Sequence, residues 1–340
     1  MTISLKTHKI LWTRSGNKCA ICKSELILDS TDPTDDPSII GDESHIIARN
    51  ETFTRGDYDA LTPEQRDHYS NLILLCKIHH KQIDDQPAQY TVERLREIKA
   101  IHEREVKATQ TAADEVRQQD DIAYSGYIDE WQRRADLDNW RNVCSWVSTA
   151  IPAVPKYWYD SQKDFLIWFI GRIWPRRYIT LENALLNYKV VLQDFLNVFD
   201  KHIDYDVKDE GFLHTRRFYK IREWDEERYA RLASEYDAHT CLVNDLFFEL
   251  TRAANYVCDK VREFLFRGYR IQEGALLVTR HSVGWDLKTV HVRVEYRGDE
   301  RTETPYPGLE KFKEARYTTR DYALNPNDPE PPGFEDEETT

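Results

Sequence analysis

The sequence predicts an α+β protein in two parts: a small α+β unit at the N-terminus, then a mainly α-helical domain with a C-terminal β-hairpin. Three observations predict it. Two pairs with metal-ligand spacing, Cys19-x-x-Cys22 and Cys76-x-x-His79, bracket short apolar segments within residues 1–108. Residues 127–268 are dominated by apolar residues at helical spacing. The stretch ALLVTRHSVGWDLKTVHVRVEY (275–296) alternates on both sides of a turn-like SVGWD, as a hairpin does.

In the first unit, KILWTRSG predicts a short helix running into the knuckle CAIC, and SELILDS a strand. TDPTDDPS is a turn-rich acidic loop. IIGDESHIIAR reads as strand, glycine turn, strand, and the polar excursion NETFTRGDYDALTPEQRDHYS as a surface loop. NLILLCKIHHKQID is an apolar run entering a helix. TVERLREIKAIHEREVKA has Thr91 placed to cap a helix whose apolar face is Val92, Leu95, Ile98 and Ile101. Residues 109–126 are polar with no clear apolar face. They are expected to be a linker, either flexible or a continuation of the preceding helix.

The second part, residues 127–320, holds eight of the nine tryptophans. Its segments IDEWQRRADLDNWRNVCSWV and KDFLIWFIGRIW predict helices, with the aromatics filling a core. TLENALLNYKVVLQDFLNVFDKHI predicts a long amphipathic helix with Thr180 as its N-cap. The run from Glu223 to Phe266 supplies one or two more. Residues 321–340 are Pro- and acid-rich and are expected to be a disordered tail.

Composition narrows the function classes. The chain has 340 residues, 40% hydrophobic and 31% charged, with no apolar run near the ~18 residues of a membrane span. A cytoplasmic location without membrane attachment is the default expectation. Six cysteines in a chain this long, without a secretory signal, do not suggest a disulfide framework. The net charge of -13 argues against a polyanion binder at first sight. The distribution weakens that argument: residues 1–108 carry 15 basic and 18 acidic residues, while residues 321–340 carry seven acids and no base.

Cys19, Cys22, Cys76 and His79 make two two-residue-gap pairs, the spacing with which tight knuckles grip one tetrahedral zinc. A closed set of three cysteines and one histidine holds a fold together and does no chemistry. In a unit this small, zinc supplements a limited apolar core. His80 is left over. On a helix it lies about 100° from His79 and cannot easily share the same ion. It does share a face with Asp84, four residues on, and that pair suits a second divalent cation. His45 stands in a strand-like context beside Ile46 and Ile47, where a satisfied core histidine is the alternative.

The order His45, Asn71, His80, woven with the two zinc pairs, resembles the HNH endonuclease family. The matching stretches are GNKCAICKSEL, GDESHIIAR, SNLILLCKIHHKQID and the trailing YTVERLREIKAIHE, about residues 8–106. The resemblance implies a ββα-metal fold, a hairpin packed on a helix with one catalytic divalent cation (Mg²⁺, Mn²⁺ or Ni²⁺) between them, and DNA as substrate. His45 would be the general base, Asn71 would fix the loop and the histidine or contact the metal, and His80 would be a metal ligand. Relatives commonly place Asp or His directly before the base histidine as a ligand, whereas this chain has Ser44. Three readings follow: Asp84 completes the ligand set, Glu43 reaches the ion, or the centre is degenerate and the unit is a catalytically weak zinc-stabilised binding module for nucleic acid or protein. The pairing of a small nuclease unit with a different domain suggests a defence or restriction role. Residues 127–320 would then bind a regulatory ligand or protein, and the basic-aromatic clusters RIWPRRY and TRRFYKIR are candidate phosphate contacts.

Overall fold

The computed structural model describes residues 3–30, 37–48, 55, 61–204, 211–281 and 289–316. The expected hairpin turn SVGWD, most of the acidic loop, residues 50–54 and 56–60 of the polar excursion, and the tail 321–340 lie outside the described residues. The chain divides into two compact units, residues 1–129 and 130–340. No helix among the described residues is long and apolar enough to cross a membrane.

In the first unit, α1 (Leu5–Arg14) starts where the Ser4 hydroxyl accepts from the Thr7 amide. The Asp129 carboxylate accepts from the Leu5 and Lys6 amides at 2.8 and 2.9 Å, meeting two more of the donors a helix start leaves open. Two antiparallel pairs follow: β1 (Ile27–Leu28) with β2 (Ser38–Ile39), and β3 (Gly41–His45) with β4 (Leu72–Cys76). Between the strands of the second pair come a single turn, α2 (Pro63–Arg66), and a 3₁₀ turn at Tyr69–Asn71. Helices α3 (Lys77–Asp85) and α4 (Val92–Ala108) complete the arrangement. The core joins Leu11 and Trp12 of α1, Leu26, all of β4, Ile83 of α3, and Val92 and Leu95 of α4.

Two sequence expectations change here. Gly41 does not turn the chain back; it opens β3, and β2 and β3 pair with different partners. A Cβ at Gly41 would lie 2.9 Å from both Leu26 Cδ1 and Trp12 Cη2, so the glycine is there to let β3 approach the core closely. The apolar run entering the helix, LILLC, is itself a strand, and the helix starts at Lys77. Helix α4 is capped by Thr91 as expected, but it buries Val92, Leu95, Lys99 and His102, and Ile101 is 41% exposed. The Lys99 ammonium donates to the Tyr69 and Leu72 carbonyls at 2.7 and 2.6 Å, bracing the chain where it enters β4.

Helix α5 (Ala112–Ala135) includes most of the expected linker and crosses the boundary between the units. In the second unit, α6 (Trp140–Val147), α7 (Lys156–Ile170), α8 (Ile179–Asp200) and the 39-residue α9 (Glu226–Phe264) carry the core. Thr180 lies inside α8, whose N-cap is Tyr178 with no side-chain cap. Trp131, Trp140 and Trp158 are buried, and the Trp140 and Trp158 rings both pack on Phe247 of α9. Trp146 and Trp224 are instead 45% and 74% exposed, so the aromatics do not all fill the core. A short pair, β5 (Ala153–Pro155) with β6 (Phe212–His214), and the hairpin β7 (Leu277–His281) with β8 (Thr289–Arg293) complete the strands. Buried Asn255 of α9 holds the hairpin flanks through the Leu276 amide and carbonyl and the Val294 carbonyl. A final short helix, α10, spans Leu309–Ala315.

Candidate active site

The knuckle is built by backbone. Cys19 N–H donates to the Ser24 carbonyl and Lys23 N–H to the Cys19 carbonyl, both at 2.9 Å, with Lys23 in the left-handed region at φ 62°. The Ala20 amide donates to the Leu74 carbonyl at 3.0 Å, which ties the knuckle to β4. Cys76 ends β4 and is the N-cap of α3, so His79 falls in the first turn above it.

The result is one compact donor set. Sγ of Cys19, Cys22 and Cys76 and a ring nitrogen of His79 all lie within 4.8 Å of one another. Cys76 Sγ is 3.1 Å and Cys19 Sγ 3.7 Å from His79 Nδ1, and Cys22 Sγ is 4.0 Å from Cys76 Sγ. Tetrahedral zinc with ordinary Zn–S and Zn–N bonds separates its ligand atoms by about 3.5–3.8 Å, so these residues fit the ion. Burial pushes the Cys19 thiol up to about 11. At Cys22 burial pushes the same way but is outweighed by hydrogen bonding to Ser24 and the neighbouring thiols, which leaves that thiol below its ordinary value. Zinc loading must therefore release protons.

His80 faces elsewhere. Its Nδ1 is 3.1 Å from Asp42 Oδ2 on β3, and its Nε2 is 3.7 Å from Asp84 Oδ2 one turn along α3. The Asp84 carboxylate also accepts from Arg55, whose guanidinium donates to the Ile46 and Ile83 carbonyls as well. Ser44, two residues after Asp42 on the same strand face, is buried, and its hydroxyl has no hydrogen-bond partner among the described residues. Glu43 points the other way: its carboxylate accepts from the Trp12 indole at 2.9 Å and contacts His8. The structure thus gives no support to Glu43 as the missing carboxylate.

His45 ends β3 opposite Leu72, with Nε2 2.9 Å from Asp67 Oδ1. Asn71 is buried, and its side chain is fully engaged with backbone. Oδ1 accepts from the Ile47 amide at 2.8 Å, and Nδ2 donates to the Ile47 and Arg66 carbonyls, both at 2.9 Å. It latches the chain leaving β3 to the chain entering β4. Among the described residues no hydrogen bond or ring contact joins His45 to His80, and the Cys19–Cys22–Cys76–His79 group is the one set of three or more such donors close enough to hold an ion. Sequence reasoning missed Asp42 and Asp67. Asp42 lay within the GDESH motif at the spacing that shares Ser44's face, whereas nothing in the sequence pointed to Asp67.

A β3–β4 hairpin followed directly by α3, with a zinc-type knuckle pinned to its second strand, defines a ββα-metal unit. Residues 19–86 match the family described as HNH endonuclease, from the first zinc-type cysteine to the end of α3. The match is narrower than the 8–106 read from the sequence. No curated protein matches the chain. The N-terminal unit therefore carries an HNH endonuclease domain, which supports a nuclease-type function.

Proposed function

We propose that the N-terminal unit is a metal-dependent endonuclease that hydrolyses DNA phosphodiester bonds. The observation that carries this reading is the divergence of two adjacent histidines. His79 completes the cysteine set, while His80 turns to Asp42 of β3 and Asp84 of α3. With Asp42 bonded to Nδ1, His80 presents Nε2 beside Asp84, the carboxylate–histidine arrangement that orients a metal ligand. His80 and Asp84 would hold a divalent cation, and the buried orphan hydroxyl of Ser44 shows a polar spot on the same strand face. When bound, that cation would stabilise charge on the scissile phosphate and the leaving 3′ oxygen. His45 takes a proton from the attacking water, and Asn71 fixes the backbone on both sides of the hairpin so that His45 keeps its place. Residues 127–320 would serve as the sensor or partner-binding part, in a defence or restriction setting.

A plasmid-nicking assay with Mg²⁺, Mn²⁺ or Ni²⁺ tests the reading. Nicking by the wild type, and a loss of about 100-fold or more in His45→Ala, is expected. Ser44 at a ligand position and the charge of -13 favour a second reading, a zinc-stabilised binding module without cleavage. Absence of nicking with every metal would overturn the enzyme reading in favour of that alternative, and nicking by His45→Ala equal to the wild type would overturn His45 as the general base.

A further inference from the structure

We propose that Asp67 is the positioning residue of His45, fixing its ring so that Nδ1 is the atom that accepts the proton. The inference rests on the nuclease reading above.

A carboxylate only accepts, so the His45 nitrogen facing it must carry the hydrogen. That nitrogen is Nε2, 2.9 Å from Asp67 Oδ1. A neutral imidazole has one N–H, which leaves the Nδ1 lone pair open. Among the described residues Nδ1 has no hydrogen-bond partner. Both side chains are largely covered, His45 20% and Asp67 11% exposed, so the contact is more than a fluctuating surface pair.

The backbone around Asp67 is held independently of the pair. Asp67 follows α2, and the neighbouring Arg66 is buried. Its guanidinium donates to the Leu61 and Ala48 carbonyls, while its own carbonyl accepts from Asn71 Nδ2. Asn71 simultaneously grips Ile47, two residues beyond His45. The segments carrying acid and base are thus clamped to each other by Arg66 and Asn71. The Asp67–His45 bond then sets only the ring's rotation and tautomer. In hydrolases built on a histidine base, a carboxylate on the second ring nitrogen performs this task, and its loss costs rate through the wrong tautomer.

The test uses the full-length zinc-loaded protein with ¹⁵N-labelled histidine, as wild type, Asp67→Asn, Asp67→Ala and Asp67→Glu. Two-bond ¹H–¹⁵N spectra read the His45 tautomer, and plasmid nicking reads kcat and KM. Zinc content and Tm check the fold, and Mn²⁺ titration reads cation affinity. Expected are an Nε2–H tautomer in the wild type, lost or mixed in Asp67→Ala, and a fall in kcat of about 10- to 100-fold with KM within about twofold. Partial recovery in Asp67→Glu is also expected. A wild-type Nδ1–H tautomer, or nicking by Asp67→Ala within about twofold of a wild type that does cut, would overturn the inference alone. A loss of Mn²⁺ affinity matching the loss of kcat would overturn it too, by making Asp67 a ligand. A wild type that never nicks overturns the nuclease reading, and this inference with it.

Discussion

His79 and His80 follow one another in the first turn of α3, yet their ring nitrogens meet different partners. His79 Nδ1 lies among Cys19 and Cys76, and His80 lies between Asp42 and Asp84. Their alanine variants should therefore fail in different ways. His79→Ala removes one donor of the set that fits zinc and should lower bound zinc well below one per chain, with a stability loss of several kcal/mol (order of magnitude). His80→Ala should keep its zinc and melt within about 2 °C of the wild type, because the side chain is part-exposed and supports no core. Its nicking should fall about 100-fold. Zinc analysis, thermal melts and nicking separate the two, and the division of roles is wrong if both variants lose zinc alike. The zinc pairs were legible in the sequence because two-residue gaps are a local signal. Asp42 and Asp67 were not, because a carboxylate is identified as a histidine's partner only by the fold that brings them together. Asp42 reaches His80 across 38 positions and Asp67 reaches His45 across 22.

At the scale of elements, β4 shows where periodicity gave out. All five of its residues are buried, so Leu72–Cys76 has no polar alternation to mark a strand, and a continuous apolar run of that length also suits a helix. Thr91, in contrast, caps α4 as its type and position indicated, because capping is decided within four residues. In the second unit, α9 packs His239 against His202, ring centroids 4.6 Å apart, with Phe218 alongside. Burial, reinforced by His202 and Lys201, pushes His239 down to about 4. As pH falls below about 6.5 the unfolded chain takes up this proton first, so folding stability declines from there to about pH 4 and then levels off. His239→Gln should remove about 1 kcal/mol of the loss between pH 7 and pH 5, allowing for the ring's partial exposure. Thermal melts across that range check this, and an unchanged slope in the variant would exclude His239 as its source.

For the whole molecule, the division into residues 1–129 and 130–340 means two cores, and only the first contains the cysteine set. Calorimetry of the full chain should show two transitions. A strong zinc chelator should lower one of them by about 10 °C or more and move the other by no more than about 2 °C. Two transitions that shift together would contradict a zinc-dependent first unit. The partition of fold class, an α+β start and a helical remainder with a terminal hairpin, was legible because it rests on periodicity summed over long segments. Residues 109–126 look like a linker because their polar composition shows no apolar face, yet α5 runs through most of them.

Cys76 closes a strand, opens a helix and supplies a sulfur to the cysteine set, all in one residue. The consequence concerns how such a gene can change. Point substitutions at exposed α3 positions outside the two sites, such as Ile78, should be freely tolerated. Loss or gain of a single codon between Cys76 and His80 should not be, since it would turn each following side chain by about 100°. A one-residue deletion between Cys76 and His79 would put His80 in the cysteine set and Lys81 at the candidate cation site, while a one-residue insertion there would put His79 at the cation site and leave the cysteine set without its histidine, so either event loses one of the two sites. Insertions and deletions should therefore be purged wherever they fall between Cys76 and His80, whereas substitutions should be purged only at Cys76, His79 and His80 themselves.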